Sequence, residues 1–226
     1  MSTSPPSLLA RVRRSLKDVA FRSPLARFVA PRWQFNHSPA QLAFMCECAS
    51  RTRDVPGPVF EVGCFAGATT IFLSKHLAAE GIDKPYYAFD TFEGFTADDV
   101  AHEVGVRGKR PEQMMGFTDN KQAWFDRTMA LNGLGAVRSV RCDASRYDFA
   151  SLAPPAFCLL DVDLYRPVLA VLEALYDRLP SGAIVVVDDC KGGSFDGALQ
   201  AFDEFVAARG LPRRIEHDKL GVIVKP

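Results

Sequence analysis

Five short apolar runs, each ending in or just before a carboxylate, constrain this chain more than any other feature. Val59-Phe60-Glu61-Val62, Tyr86-Tyr87-Ala88-Phe89 and the stretches 137–142, 156–160 and 183–187 have the length and composition of strands. Helical patterns separate them. One runs over 67–79, and a second, capped by Asp119, ends near Asn132-Gly133. A third has Pro167 in its first turn and Val168, Leu172, Leu175 and Leu179 at helical spacing. A fourth spans 195–208 and closes at Gly210, and two short strands follow at 213–217 and 221–224. Strands that are apolar throughout are buried on both faces, so the pattern predicts a doubly wound α/β fold. Its sheet is mostly parallel and seven-stranded, with helices on both sides.

In such a sheet the ligand lies beyond the carboxyl ends of the strands. Those ends carry Glu61, Asp90, Asp143, Asp161 and the pair Asp188-Asp189. One or two aspartates there would be helix caps. Acids at all five strand ends mark a site.

Ahead of the sheet, residues 1–56 read as a helical extension and 57–226 as the ligand-binding domain. Leu8, Val12, Leu16 and Val19 form one face of a basic helix over 8–21. Ser38 and Gln41 make a capping box for a second helix reaching about Thr52. Residues 1–32 hold seven basic side chains against Asp18, a charge of +6 offset by −6 in the rest of a chain of zero net charge. The basic helix packs on this acidic body or on a partner subunit, as in a homodimer; a transit peptide or membrane-surface helix is the rival reading. The overall charge balance gives no nucleic-acid footprint. No apolar run approaches the roughly 20 residues of a transmembrane helix. Six scattered cysteines without a CxxC pair read as reduced thiols, which suits a cytoplasmic protein.

The first strand runs into Glu61-Val62-Gly63-Cys64-Phe65-Ala66-Gly67. A P-loop would require Gly-Lys-Ser/Thr here, and a dinucleotide fingerprint would require glycine where Phe65 and Ala68 stand. The acid, spacer and Gly-x-x-x-Gly instead resemble the first motif of class I S-adenosylmethionine-dependent methyltransferases. That resemblance implies a cofactor site built from Glu61, Gly63, Phe65, Gly67, Asp90, Thr91, Asp143 and Ala144. Within it, Glu61 would help hold the ammonium group, Asp90 the two ribose hydroxyls and Asp143 the adenine amine. Asp143 also has a plain reading as the turn residue after a strand.

Three further stretches are closer still to one family. Phe89-Asp90-Thr91-Phe92-Glu93-Gly94-Phe95, Leu160-Asp161-Val162-Asp163-Leu164-Tyr165, and the run from Leu175-Tyr176 through Gly182 to Asp188-Asp189 are similar to the macrocin O-methyltransferase family, in the same order. The resemblance implies methyl transfer to a hydroxyl of a small metabolite, a sugar or polyol part of a natural product. It also implies Mg2+, or Mn2+, held by Asp161, Asp188 and Asp189, with Asp161 the catalytic carboxylate. Independent chemistry agrees, since three clustered carboxylates repel unless a hard cation joins them. Removing one charge, as in Asp188→Asn, is therefore expected to stabilise the metal-free chain. Asp163, His37 and His102 are the other candidates for the base. Val162, Arg166-Pro167 and Cys190 depart from the family pattern beside the acceptor site. A catechol-type phenol methyltransferase, which an aromatic acceptor pocket would favour, stays open as an alternative. So do a nicotinamide-dependent oxidoreductase and a non-catalytic protein of the same fold. The polar stretch 92–118 reads as a lid over the acceptor or as a passive loop.

Overall fold

The structure, a computed structural model, describes residues 7–26, 30, 33 and 35–226. Arg27 and Arg32 of the basic arm lie outside the described residues. The chain divides into two compact units, 1–36 and 37–226. The first contains helix α1, Leu8–Phe21, over the stretch expected to be helical.

In the second unit, helix α2 (Pro39–Arg51) starts from the expected capping box. The backbone N–H of Gln41 donates to Ser38 Oγ at 3.3 Å, and that of Ser38 donates to Gln41 Oε1 at 2.8 Å. Strand β1 (Val59–Val62), helix α3 (Ala68–Ala79), strand β2 (Tyr86–Asp90) and helix α4 (Ala97–Gly105) follow. Next come α5 (Gln122–Leu131), β3 (Arg138–Arg141), β4 (Phe157–Leu160), α6 (Tyr165–Tyr176) and β5 (Ile184–Val187). Helix α7 (Asp196–Ala208) and the strands β6 (Ile215–Glu216) and β7 (Leu220–Val224) complete the order.

Among the described residues the sheet has seven strands in the order β3-β2-β1-β4-β5-β7-β6. Strands β1 to β5 are mutually parallel, whereas β7 runs antiparallel to both β5 and β6. Alternate side chains of a strand point to opposite faces. Phe60 and Val62 of β1 accordingly join Val168, Leu172, Phe202 and Phe205 of α6 and α7 in one core layer. Val59 joins Met45, Cys48, Leu73 and Phe125 of α2, α3 and α5 in the other. The doubly wound architecture expected from the sequence is therefore present.

The second compact unit includes α2, which buries Leu42, Met45, Cys48 and Ala49 in the core. Two elements differ from expectation. Helix α5 is capped by Lys121 and not by Asp119. Asn120 intervenes: its side-chain amide donates to the Phe65 carbonyl at 2.8 Å, and its Oδ1 accepts from the Lys121 N–H at 2.9 Å. Within 92–118 the chain forms α4, whose Thr96 side chain caps the Asp99 N–H at 3.2 Å while its hydroxyl donates to Asp99 Oδ2 at 2.6 Å. This is a capping interaction of the Thr-x-x-Asp kind, hidden in the sequence by surrounding glycines and polar residues.

Candidate active site

The turn after β1 is shaped by close approach. Gly63 has φ +93°, and a Cβ there would lie 1.8 Å from the Asp161 carbonyl oxygen, so the β1 and β4 ends can meet only through glycine. Gly67, at φ +86°, leaves room for Met129 and Phe125 of α5. Between them Phe65 takes φ 44°, and its N–H donates to Asp90 Oδ2 at 2.8 Å. Asp90 Oδ1 accepts from the Phe92 N–H at 2.6 Å, and Phe92 is also left-handed, at φ 57°. Burial pushes the Asp90 carboxyl up against the opposing pull of these two backbone hydrogen bonds. Two amides thus fix the orientation of the carboxylate and leave lone pairs on each oxygen for two hydroxyl donors.

The other expected cofactor residues fall around this turn. Thr91 is turned inward: its hydroxyl donates to the Gly94 carbonyl at 2.6 Å and accepts from the Glu93 N–H at 3.2 Å, shaping the turn after β2. Asp143 and Ala144 follow β3, and both are partly buried. Asp143 Oδ1 accepts from the Ser145 N–H at 2.9 Å, and Oδ2 lies 3.5 Å from Arg146 Nε, so the plain turn role is filled as well. Glu61 is different. It is 1% exposed and accepts from the Tyr86 hydroxyl at 2.7 Å. Burial lifts its carboxyl to about 7, with the Asp90 charge adding to the shift.

The acidic group at the β4 and β5 ends gathers His37, one of the candidates for the base, and Lys219, which no sequence motif marks. His37 is 3% exposed, and its Nε2 lies 3.1 Å from Asp188 Oδ2 and 3.8 Å from Asp161 Oδ2. Lys219 Nζ donates to Asp188 Oδ2 at 2.6 Å and to Asp189 Oδ1 at 3.0 Å. The expectation of mutually repelling carboxylates without a counter-ion is overturned: a lysine stands among them. Burial pushes Asp188 up, but the His37 hydrogen bond and the charges of His37 and Lys219 outweigh it and hold the carboxyl below its ordinary range. Asp161 keeps 24% of its side chain accessible. Its removal from bulk water, followed by the charges of Asp188 and Asp163, pushes it well above the carboxylate range. Asp163 is raised too, first by burial and then by a hydrogen bond with Asp189. Both Asp163 (φ 63°) and Asp189 (φ 54°) hold left-handed backbone, a strain that concentrates at functional sites.

His37 is delivered by the residue before the α2 cap, and Lys219 by the turn between β6 and β7. Gln41 of α2 donates to the His217 carbonyl at 3.0 Å, which ties these two segments together. Lys219 escaped notice because a parallel sheet presents only strand ends at this edge. An antiparallel β7 begins here, and its first residues are the signal that was missed. His102 is not part of the group; it stacks on Tyr165 with ring centroids 5.6 Å apart.

The 92–118 segment is anchored to α6 and α7. Buried Glu103 accepts from the Tyr165 N–H at 2.9 Å and pairs with Arg107 at 2.8 Å, and Lys109 reaches Asp196 at 2.7 Å. Beside the Gly63–Gly67 turn the segment contributes Phe95 and Phe117 to a row of rings. Phe65, Phe117, Phe95 and Phe195 follow one another at centroid distances of 5.3, 5.4 and 5.9 Å. All six cysteines are free thiols; burial raises Cys46 and Cys48 to about 11, as suits core residues.

Known proteins share this fold. The solved O-methyltransferase NovP superposes with a TM-score of 0.69 at 21% identity, over 81% of this chain and 78% of that one. The calicheamicin methyltransferase CalS11 does so with a TM-score of 0.65 at 21% identity, over 99% and 98%. These likenesses establish the fold. A Streptomyces olivaceus enzyme, 8-demethyl-8-(2,3-dimethoxy-alpha-L-rhamnosyl)-tetracenomycin-C 4'-O-methyltransferase, is 28% identical over 190 residues. The match covers 74% of this chain and 65% of that relative's length. The family described as Macrocin-O-methyltransferase (TylF) matches residues 40–225, which include the turn after β1, Asp90, Asp143 and the whole acidic group except His37, and the chain belongs to that family.

Proposed function

We propose that this chain is an S-adenosylmethionine-dependent O-methyltransferase whose acceptor is a sugar hydroxyl of a natural product, assisted by a divalent cation. The observation that carries the reading is the Asp90 carboxylate, oriented by the Phe65 and Phe92 amides beside a glycine turn that a side chain would block. This arrangement suits a ribose with two adjacent hydroxyls. Family membership and the rhamnosyl acceptor named for the Streptomyces olivaceus relative support the choice of a sugar hydroxyl.

The residues at the β4 and β5 ends fit a cation. Asp188 Oδ1 is buried with no hydrogen-bond partner among the described residues, the kind of orphaned acceptor that a metal ion satisfies. Asp161 and Asp188 would hold the ion, and Mg2+ or Mn2+ would lower the pKa of an acceptor hydroxyl bound beside it. Of these two carboxylates Asp161 is the one an acceptor can reach, at 24% accessible against 3% for Asp188. Its role is to orient the hydroxyl and receive its proton. Catalysis then rests on holding the acceptor oxygen in line with the methyl group.

A second reading has its own support. The row Phe65–Phe117–Phe95–Phe195 suits an aromatic acceptor, as in a catechol-type phenol methyltransferase. Transfer of labelled methyl to a panel of rhamnosides and catechols separates the two. Calorimetry with S-adenosylhomocysteine tests the cofactor site: Asp90→Ala should weaken binding by about 10-fold or more, the loss of hydrogen bonds to a charged acceptor. EDTA should abolish turnover and leave that binding intact. Binding of NADH without binding of S-adenosylhomocysteine would refute the cofactor assignment, and full turnover in EDTA would refute metal assistance.

A further inference from the structure

We infer that Asn120 is a positioning residue for the cofactor: its side-chain amide holds the Phe65 peptide in the conformation that aims the Phe65 N–H at Asp90. The inference rests on the reading that Asp90 receives the ribose hydroxyls, and it names the side chain that sets up that carboxylate. Asn120 Nδ2 donates to the Phe65 carbonyl at 2.8 Å, and the Phe65 N–H donates to Asp90 Oδ2 at 2.8 Å. The two peptide groups that flank Phe65 are therefore both pinned, one by the carboxylate and the other by the amide.

Phe65 needs such a hold. At φ 44° it is left-handed, a conformation that a bulky L residue keeps only under constraint. Its own ring supplies little of that constraint: Phe65 is 36% exposed and meets Phe117 edge-on at a centroid distance of 5.3 Å. A return to negative φ would rotate the N–H against the carbonyl. The two groups could then no longer meet Asp90 and Asn120 together.

The chemistry of Asn120 suits the task. It is 6% exposed, and its Oδ1 accepts from the Lys121 N–H at 2.9 Å, at the head of α5. One planar amide thus gives a donor to the turn and an acceptor to the helix, whereas an ionised carboxylate would lack the donor. The same helix reaches the other end of the turn. A Cβ on Gly67 would lie 2.5 Å from Met129 Cε and 2.9 Å from Phe125 Cε2. Helix α5 therefore grips the glycine turn twice, by hydrogen bonding at Phe65 and by packing at Gly67.

The test is calorimetry of S-adenosylhomocysteine binding to the full chain. Asn120→Ala and Asn120→Asp should each weaken binding about 3- to 10-fold, the worth of one hydrogen bond. The aspartate keeps the acceptor for Lys121, so its loss reports the Phe65 contact alone. In the Asp90→Ala background, Asn120→Ala should change affinity by less than about 2-fold, because the carboxylate it positions is gone. A merely structural role would cost the same in both backgrounds, and that result would overturn the inference. Unchanged affinity in both Asn120 variants would overturn it as well. Should the variants fail to fold, nuclear magnetic resonance of the wild-type chain decides: an Asn120 side-chain amide proton should exchange more slowly than that of an exposed asparagine, and free exchange would overturn the clamp. A wild-type chain that does not bind S-adenosylhomocysteine would overturn the cofactor reading together with this one.

Discussion

Replacing Glu61 by glutamine turns the burial of one carboxyl into a measurable slope. Glu61 is 1% exposed, and its carboxyl is raised from 4.5 to about 7, chiefly by loss of water. Between those values the folded chain keeps a proton that the unfolded chain has lost, so stability falls as pH rises. The contribution, about 3 kcal/mol in full, is complete below pH 4.5 and gone above pH 7. Glutamine cannot titrate, yet its Oε1 can still accept from the Tyr86 hydroxyl, so the variant lacks only this slope. Urea denaturation of both proteins from pH 5 to pH 8, without cofactor, cancels every other titrating group by subtraction. The wild-type advantage should shrink by about 2.5 kcal/mol across that range. Parallel profiles, within about 0.5 kcal/mol at every pH, would mean that the carboxyl ionises as in water and that the burial argument is wrong.

Two other substitutions probe the strand ends. Gly63→Ala places a Cβ 1.8 Å from a backbone oxygen at φ +93° and should cost more than about 3 kcal/mol; a variant melting within a few degrees of wild type would contradict the close approach. Asp188→Asn removes the carboxylate nearest Lys219, at 2.6 Å, while Asp189 remains at 3.0 Å, and should lose about 1–3 kcal/mol in metal-free buffer, the reverse of a gain from relieved repulsion. Adding Lys219→Met to that variant should recover part of the loss, and a stabilised single variant would restore the repulsion argument.

The sheet and its acidic edge were legible because they rest on local signals. Apolar runs such as Val59–Val62 and Ile184–Val187 announce strands, and the carboxylates after them are placed by the direction of a parallel sheet. What stayed hidden depends on distant residues. Asp90 could be placed at the site, but its clamping by Phe65 and Phe92 needs two left-handed phenylalanines that no propensity predicts. His37 reads as a loop residue until α2 sets it against β5 across 151 residues. Lys219 looks like an ordinary surface lysine until the reversed direction of β7 brings it to the carboxyl edge. Glu61 has a partner its motif does not announce: at 1% exposure it accepts from Tyr86 inside the molecule.

The tie between the start of α2 and the β6–β7 turn also bears on the order of folding. Gln41 and the His217 carbonyl are 176 residues apart, and His37 and Asp188 are 151 apart. Contacts of such separation pay more loop-closure entropy than near ones, so they are expected to form after the β6–β7 hairpin and the β1–β2 pairing. His37 is then among the last side chains to reach the acidic group. In a refolding experiment, helical circular dichroism should return before the proposed Mn2+ binding does, and the delay between the two measures how long the chain remains compact before its strand ends are assembled.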